Sequence, residues 1–377
     1  MASVTRWMRR AVLLGSLALV TAVGLAGQTR ASTGAQVEKG LQVYQAQCAD
    51  CHGDTLQGLQ GPALARDDLL SKWRDFESMR RFIHRFMPQG AGGTLSQEEA
   101  VNVTHFIFSR NGVGPDGFAH PAFRALWAVA DDPVAARQAG RSWLWGPAGF
   151  AVAWEDYAEA PGGKRLVQYF DKTRMEITDI DGNPSGDGYV TNGLLARELV
   201  LGLIQQGNDR FALHRPASDI NVAGDPDDRD GPTYASFSRL LGPAPASQAA
   251  VMATIDRAGN VGQNGALGNY TDYVQYVAET GHNIPRVFWD FLNSTGPINR
   301  EGQLETGPVF DPWWRPTGFP ITEAYWARVK VDGQVRDVLI QVFQRRVLTY
   351  TPDNPPAFQV EMGNVGRHYY QWRYGNR

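Results

Sequence analysis

Val37, Leu41, Tyr44 and Cys48 recur at steps of four, three and four residues, the apolar stripe of an amphipathic helix. Phe76, Met79, Phe82, Ile83 and Phe86 form a second stripe. That helix has to stop before Pro88, because proline disfavours helical geometry at the residue before it, so Met87 is offered from a non-helical turn. Ser96-Gln97-Glu98-Glu99 is a capping box and opens a third helix, with Ala100, Val103, Phe106 and Ile107 on one face. Gly40, one turn before Tyr44, lets another helix approach closely, and the closing helix is the expected partner. Residues 36–111 therefore read as an all-α domain in which the first and last helices cross.

Gly112-Val113-Gly114-Pro115-Asp116-Gly117 is a turn-rich break, and the pattern beyond it changes. Pro147 to Val152 resembles Pro316 to Ile321, with Trp145 falling on Trp314. Leu166 to Phe170 matches Leu339 to Phe343, and a second apolar stretch follows each, Met175 to Thr178 and Val347 to Thr351. Val190, Gly193, Leu195 and Arg197 then fall on Val360, Gly363, Val365 and Arg367. Four blocks in one order indicate an internal duplication. Each copy predicts a β-hairpin or meander followed by a helix such as Thr191 to Leu203, with Asp332-Gly333 as a tight turn in the second. Between the copies, helical stretches are expected around Tyr234 to Leu241 and Pro285 to Leu292. The expectation is multidomain: an all-α domain at 36–111, a linker and lead-in at 112–140, and a duplicated α+β domain at 141–377.

The chain of 377 residues has room for two or three domains. A content of 43% hydrophobic and 20% charged residues, with net charge −3, is globular and leaves out the strong basic patch a nucleic-acid partner demands. The N-terminus differs: Arg6, Arg9 and Arg10 precede the apolar run Ala11 to Leu25 and a stretch of small and polar residues. This is an export signal over residues 1–31, cleaved near Ala26 to Ala31 or retained as an anchor.

Candidate chemistry is concentrated in Cys48-Ala49-Asp50-Cys51-His52, because C-x-x-C-H is the spacing at which a haem is attached covalently. Two thiols about one helical turn apart can add to the two vinyl groups on one porphyrin edge, and His52 then lies under the iron. With only 2 cysteines in the chain, a four-cysteine zinc site is excluded and no structural disulfide is left over. A redox-active C-x-x-C pair would require a βαβ setting, whereas a helix precedes Cys48. The expected cofactor is one covalent haem c.

Gly40, Tyr44, the motif with Gly53, Gly61-Pro62-Ala63-Leu64, Met87-Pro88 and Leu95-Ser96 together resemble a class I cytochrome c, over about a fifth of the chain. The resemblance implies that His52 and Met87 are the axial ligands and that the Gly61-Pro62 loop offers a carbonyl to the other imidazole nitrogen. It also implies Trp73 at the haem edge, with a plain core role as the alternative. His84 and His105 are competing sixth ligands on chemistry alone, and position favours Met87. A thioether favours ferrous iron relative to a second imidazole.

The duplicated region carries no second haem motif, no other cysteine and no phosphate-cradling glycine loop. In the stretches beginning at Arg165, Tyr189 and Asn283 it resembles a module of exported proteins from Chloroflexus-like bacteria that has no assigned chemistry. His120, His214, His282 and His368 are scattered without catalytic spacing. Asp225, Asp227, Asp228 and Asp230 suggest calcium, but Arg229 stands where an EF-type loop needs an oxygen ligand, so a solvated loop is expected. Trp7 and Trp73 aside, all of the 11 tryptophans fall beyond the break, as core or as a stacking face.

The expected function is an exported monohaem cytochrome that carries single electrons and docks on a dehydrogenase, an oxidase or the membrane or cell envelope. Two alternatives follow from the same residues. One is the electron-accepting subunit of a periplasmic dehydrogenase. The other is an envelope or glycan-binding protein with an accessory haem domain.

Overall fold

The computed structural model describes residues 34–65, 69, 76–113 and 117–375. The export segment, Trp73 and Gly114 to Asp116 lie outside the described residues.

The N-terminal region is helical. Helix α1 spans Gly34–Gln47, the single turn α2 spans Ala49–His52, α3 spans Phe76–Phe86 and α4 spans Gln97–Arg110. Helix α3 ends one residue before Met87, as the proline rule requires. The capping box forms: the Ser96 hydroxyl accepts from the Glu99 N–H at 3.1 Å, and the Ser96 N–H donates to the Glu99 carboxylate at 2.8 Å. Helices α1 and α4 cross at Gly40, where an added Cβ would lie 2.0 Å from the Asn102 carbonyl oxygen. Tyr44 packs against Phe106 in a tilted pair with centroids 5.1 Å apart. Around this crossing Leu56, Met79, Ile83, Leu95, Ala100, Val103 and Ile107 close a small core.

The C-terminal region is rich in sheet. Helix α5, Pro121–Ala135, leads into it. It lies in the stretch expected as linker and lead-in, yet its Phe123 and Trp127 pack with Trp145, Val152, Leu166, Phe170 and Met175. Strands β1 (Gly149–Asp156), β2 (Lys164–Phe170), β3 (Thr173–Ile177) and β4 (Thr191–Asn192) form an antiparallel meander, and helix α6 (Leu195–Leu201) follows. Two short pairs follow the first meander: β5 (Leu203–Gln205) with β6 (Phe211–Leu213), and β7 (Ala253–Ile255) with β8 (Val261–Gln263). Strands β9 (Tyr273–Val277) and β10 (His282–Pro285) pair ahead of helix α7 (Arg286–Leu292), and β11 (Thr295–Arg300) pairs with β12 (Gln303–Pro308).

A second antiparallel meander then runs through β13 (Tyr325–Val331), β14 (Gln334–Val342), β15 (Val347–Tyr350) and β16 (Val360–Met362), followed by helix α8 (Val365–Tyr374). Its first strand also pairs in parallel with β7, Trp326 opposite Thr254. Asp332 and Gly333 turn the β13–β14 hairpin with φ of 51° and 75°, the left-handed pair of a type I′ turn. Helices α6 and α8 share one core with both sheets: Leu195, Leu199, Val365 and Tyr369 meet Val167, Tyr169, Ile340 and Val342.

Two expected helices differ. The helix placed at Thr191 to Leu203 begins only at Leu195. Thr191 and Asn192 instead pair with Glu176 and Met175, and the Asn192 amide donates to the Pro316 carbonyl at 2.8 Å, bonds that hold this stretch extended. The stretch Tyr234 to Leu241 makes one 3₁₀ turn, Tyr234–Phe237. Ser236 gives its hydroxyl to the Arg257 carbonyl and Ser238 to that of Ala235, local bonds that compete with a continuing helix. Helix α7 forms where the pattern placed it.

Candidate haem site

Cys48 closes α1 by donating its N–H to the Tyr44 carbonyl at 2.8 Å, and the chain turns at once into α2. The amides of Cys51 and His52 both donate to the Cys48 carbonyl, at 3.2 and 2.9 Å, so the two thiols and the imidazole share a single helical turn. Gly53 ends that turn with φ 81°, a left-handed conformation that favours glycine. Its buried carbonyl accepts from the Tyr44 hydroxyl at 2.6 Å. Burial, with Cys48 and Asp54 nearby, raises that phenol to about 12, so it stays a donor.

The chain then folds back on the motif. Gly58 N–H donates to the His52 carbonyl at 2.8 Å, and Gly61 N–H to the Cys51 carbonyl at 2.8 Å. A Cβ on Gly61 would lie 2.8 Å from His52 Cε1, so only glycine lets the loop approach the ring this closely. The next residue places its carbonyl on the imidazole: His52 Nδ1 and Pro62 O are 2.7 Å apart. A carbonyl only accepts, so Nδ1 is the donor here, and in the neutral ring the lone pair then lies on Nε2.

Cys48 is half-buried and Cys51 exposed. Burial, with Cys51 adding, pushes the Cys48 thiol up to about 11. Met87 donates its N–H to the Ile83 carbonyl at 2.9 Å and lies partly buried against the helical core. His84 is half-buried within α3, and its Nδ1 is buried with no hydrogen-bond partner. His105 lies half-buried in α4.

Two cysteines one turn apart, an imidazole with its lone pair on the outward nitrogen, and a thioether on the apolar wall make a donor set that fits haem c. When bound, the haem supplies a single-electron couple at iron.

The sequence placed Tyr44 on an apolar stripe and among the residues of the cytochrome c resemblance without giving its hydroxyl a partner, and it did not single out Asn111. A phenol on a buried stripe signals a hidden acceptor, here Gly53. Asn111 sits at the end of α4 and donates its amide to the carbonyls of Leu64 at 2.7 Å and Ile107 at 2.8 Å. An asparagine between a helix end and Gly112 was the available signal.

Elsewhere the acidic loop, the scattered histidines and several tryptophans have structural partners. Asp225 accepts from the Asp332 and Gly333 amides, at 3.0 and 2.8 Å, and Asp228 from those of Asp230, Gly231 and Lys330. The acidic loop is thus latched to the β13–β14 turn. Asp227 and Asp230 are exposed, as a solvated loop implies, while Asp228 is buried. Among the described residues no group of three or more histidines, cysteines or carboxylates could hold a metal ion. His368 accepts or donates at Tyr234 across 2.8 Å, and burial, then Lys172, lowers its ring to about 4. His282 lies against Glu323 at 3.2 Å, and His120 Nδ1 caps α5 by accepting from Ala122 N–H. Trp127, Trp326 and Trp372 donate to backbone carbonyls from buried positions, as core residues do, whereas Trp154 and Trp314 are exposed.

Residues 35–107 match the family model described as cytochrome C oxidase, cbb3-type, subunit III. Thiosulfate dehydrogenase of Stutzerimonas stutzeri (strain A1501) is 33% identical over 87 residues, covering 20% of this chain and 28% of that protein. The crystal structure of the sulfane dehydrogenase SoxCD from Paracoccus pantotrophus matches 21% of this chain and 45% of its own at 30% identity, with a TM-score of 0.20. The chain thus spans less than half the length of either relative. The attachment motif, the helical fold around it and the family match agree that residues 35–107 are a cytochrome c domain.

Proposed function

We propose that this chain is an exported monohaem c-type cytochrome that carries single electrons. Cys48 and Cys51 would hold the haem covalently, and His52 through Nε2 and Met87 through its thioether would be the protein ligands to its iron, which supplies the single-electron couple. The observation that carries the reading is the 2.7 Å contact from His52 Nδ1 to Pro62 O, which sets the tautomer and aims Nε2. Export is supported by the arginines and apolar run of residues 1–31. No helix among the described residues is long and apolar enough to cross a membrane.

The favoured setting is a dehydrogenase complex, in which this chain accepts electrons from a substrate-oxidising partner. The support is that the matched stretch recurs in a protein named thiosulfate dehydrogenase. The glycan-binding alternative is less well supported, since the tryptophans it would need are in part buried and hydrogen-bonded. The region beyond Gly117 is read as the part that docks the cytochrome. Its two meanders are read as copies of one unit, because the matched blocks fall on β2 and β14, β3 and β15, β4 and β16, and the starts of α6 and α8.

Acid-acetone denaturation of the protein made with haem-attachment machinery tests the first reading: haem should stay on the polypeptide. Co-purification from the native host tests the second. A dehydrogenase subunit that reduces the haem when its substrate is added is the expected result, and a cytochrome recovered with envelope glycan alone would refute it.

A further inference from the structure

The contact between His52 and Pro62 is tied down at both ends by side chains that touch neither atom. On the His52 side, the Tyr44 hydroxyl donates to the carbonyl of Gly53, the next residue, at 2.6 Å. Tyr44 is fully buried on α1, so its phenol cannot swing to water. On the Pro62 side, the Asn111 amide uses both protons, one on Leu64 O at 2.7 Å and one on Ile107 O at 2.8 Å. One planar group thereby joins the Gly61-Pro62 loop to the last turn of α4. The amides of Leu64 and Ala65 also donate to the Leu56 carbonyl, at 2.7 and 3.0 Å, which closes the loop into a ring of bonds. Helices α1 and α4 are themselves locked at Gly40.

We infer that Tyr44 and Asn111 are positioning residues that hold the His52 Nδ1–Pro62 O hydrogen bond short, and so set how strongly His52 Nε2 donates to iron. The inference rests on the reading of His52 as an iron ligand. An acceptor on the far nitrogen raises the basicity of the ligating one. A more basic ligand favours ferric iron, so loosening either tether weakens the donor and raises the reduction potential. A loop that had merely opened would admit water to the site, which favours the more charged ferric state and shifts the potential downward. The sign therefore separates positioning from loss of packing.

The test compares wild type, Tyr44→Phe and Asn111→Leu, substitutions that remove the donors with little change of volume and no change of charge. Three quantities are measured on the haem-loaded full chain: covalent haem by acid-acetone retention, the reduction potential, and solvent exchange of the His52 Nδ1 proton by NMR in the reduced state. Each variant should keep its haem, shift the potential upward, and exchange that proton roughly fivefold to tenfold faster, as expected for losing one hydrogen bond of about 1 kcal/mol. Should Asn111→Leu fail to fold, Asn111→Ser, which keeps one donor, should give a smaller shift of the same sign. An unchanged exchange rate, or a potential that stays or falls, overturns the inference while leaving the haem reading intact. Release of haem by the wild-type protein overturns both.

Discussion

Gly40 and Asn102 meet so closely that no side chain fits between them: a Cβ on Gly40 would lie 2.0 Å from the Asn102 carbonyl oxygen and 2.8 Å from Phe106 Cβ. The obstacle on one side is backbone in mid-helix, which cannot swing aside. Gly40→Ala should therefore destabilise the haem domain by about 3 kcal/mol, toward the upper end for overpacking a core. Chemical denaturation followed at the haem absorption checks this, and a change below about 1 kcal/mol would show that the helices slide apart freely.

Cys48→Ala with Cys51→Ala should abolish covalent haem, because the chain contains 2 cysteines and both lie in the motif. Retention of haem after acid-acetone treatment of the double variant would disprove attachment at this turn.

Met87→Ala should open the iron to small ligands, remove the weak near-infrared sulfur-to-iron absorption and lower the reduction potential, since the thioether that favours ferrous iron is gone. His84→Ala should leave that absorption in place. The orphaned Nδ1 of His84 makes the comparison informative. A low-spin spectrum that survives loss of Met87 and vanishes with loss of His84 would assign bis-histidine ligation.

Acid should unfold the C-terminal region through one buried network. Arg174, with no exposed surface, bonds Glu155 at 2.9 Å and also bonds Glu176 at 2.8 Å, while Arg373 reaches Glu155 at 2.7 Å. Burial alone would raise the Glu155 carboxyl, but Arg174, Arg373 and Arg165 hold it down at about 2, against an ordinary 4.5. The folded pKa is depressed, so this stability is fully present above pH 4.5 and is lost as pH falls through about 2. Its size is about 3 kcal/mol. Asp131 has the opposite sign: burial raises it to about 6 despite three backbone donors, so its contribution is lost as pH rises through that value. Thermal melts of wild type and Glu155→Gln across pH 2 to 5 should differ in slope, and parallel curves would remove Glu155 from the account.

A chain beginning at Gly117 should melt cooperatively without haem. Helix α5 and both sheets bury their own apolar faces, and only buried Val113 and partly buried Phe108 reach that core from before Gly117 among the described residues. A broad transition, sharpened only in the full chain, would show that the cytochrome domain is needed to complete it.

Much of the haem site was legible because its signals are local. The attachment turn spans five residues, the capping box four, and the end of α3 is dictated by the proline next to Met87. The Asp332-Gly333 turn likewise depends on two adjacent residues that tolerate positive φ. Periodicity alone did not pair His52 with Pro62; the family resemblance supplied that expectation, and the structure gives its distance. Only the tertiary structure decided which distant group each polar side chain would meet. Asn192 was drawn out of a helix by Pro316, Asp228 took the amide of Lys330, and Glu155 found Arg373 at the other end of the region. Asn111 reached back to Leu64 in the same way. The reason is physical: helical and turn preferences act within about one turn of chain, whereas a buried donor or acceptor must be satisfied by whatever the closed chain brings beside it.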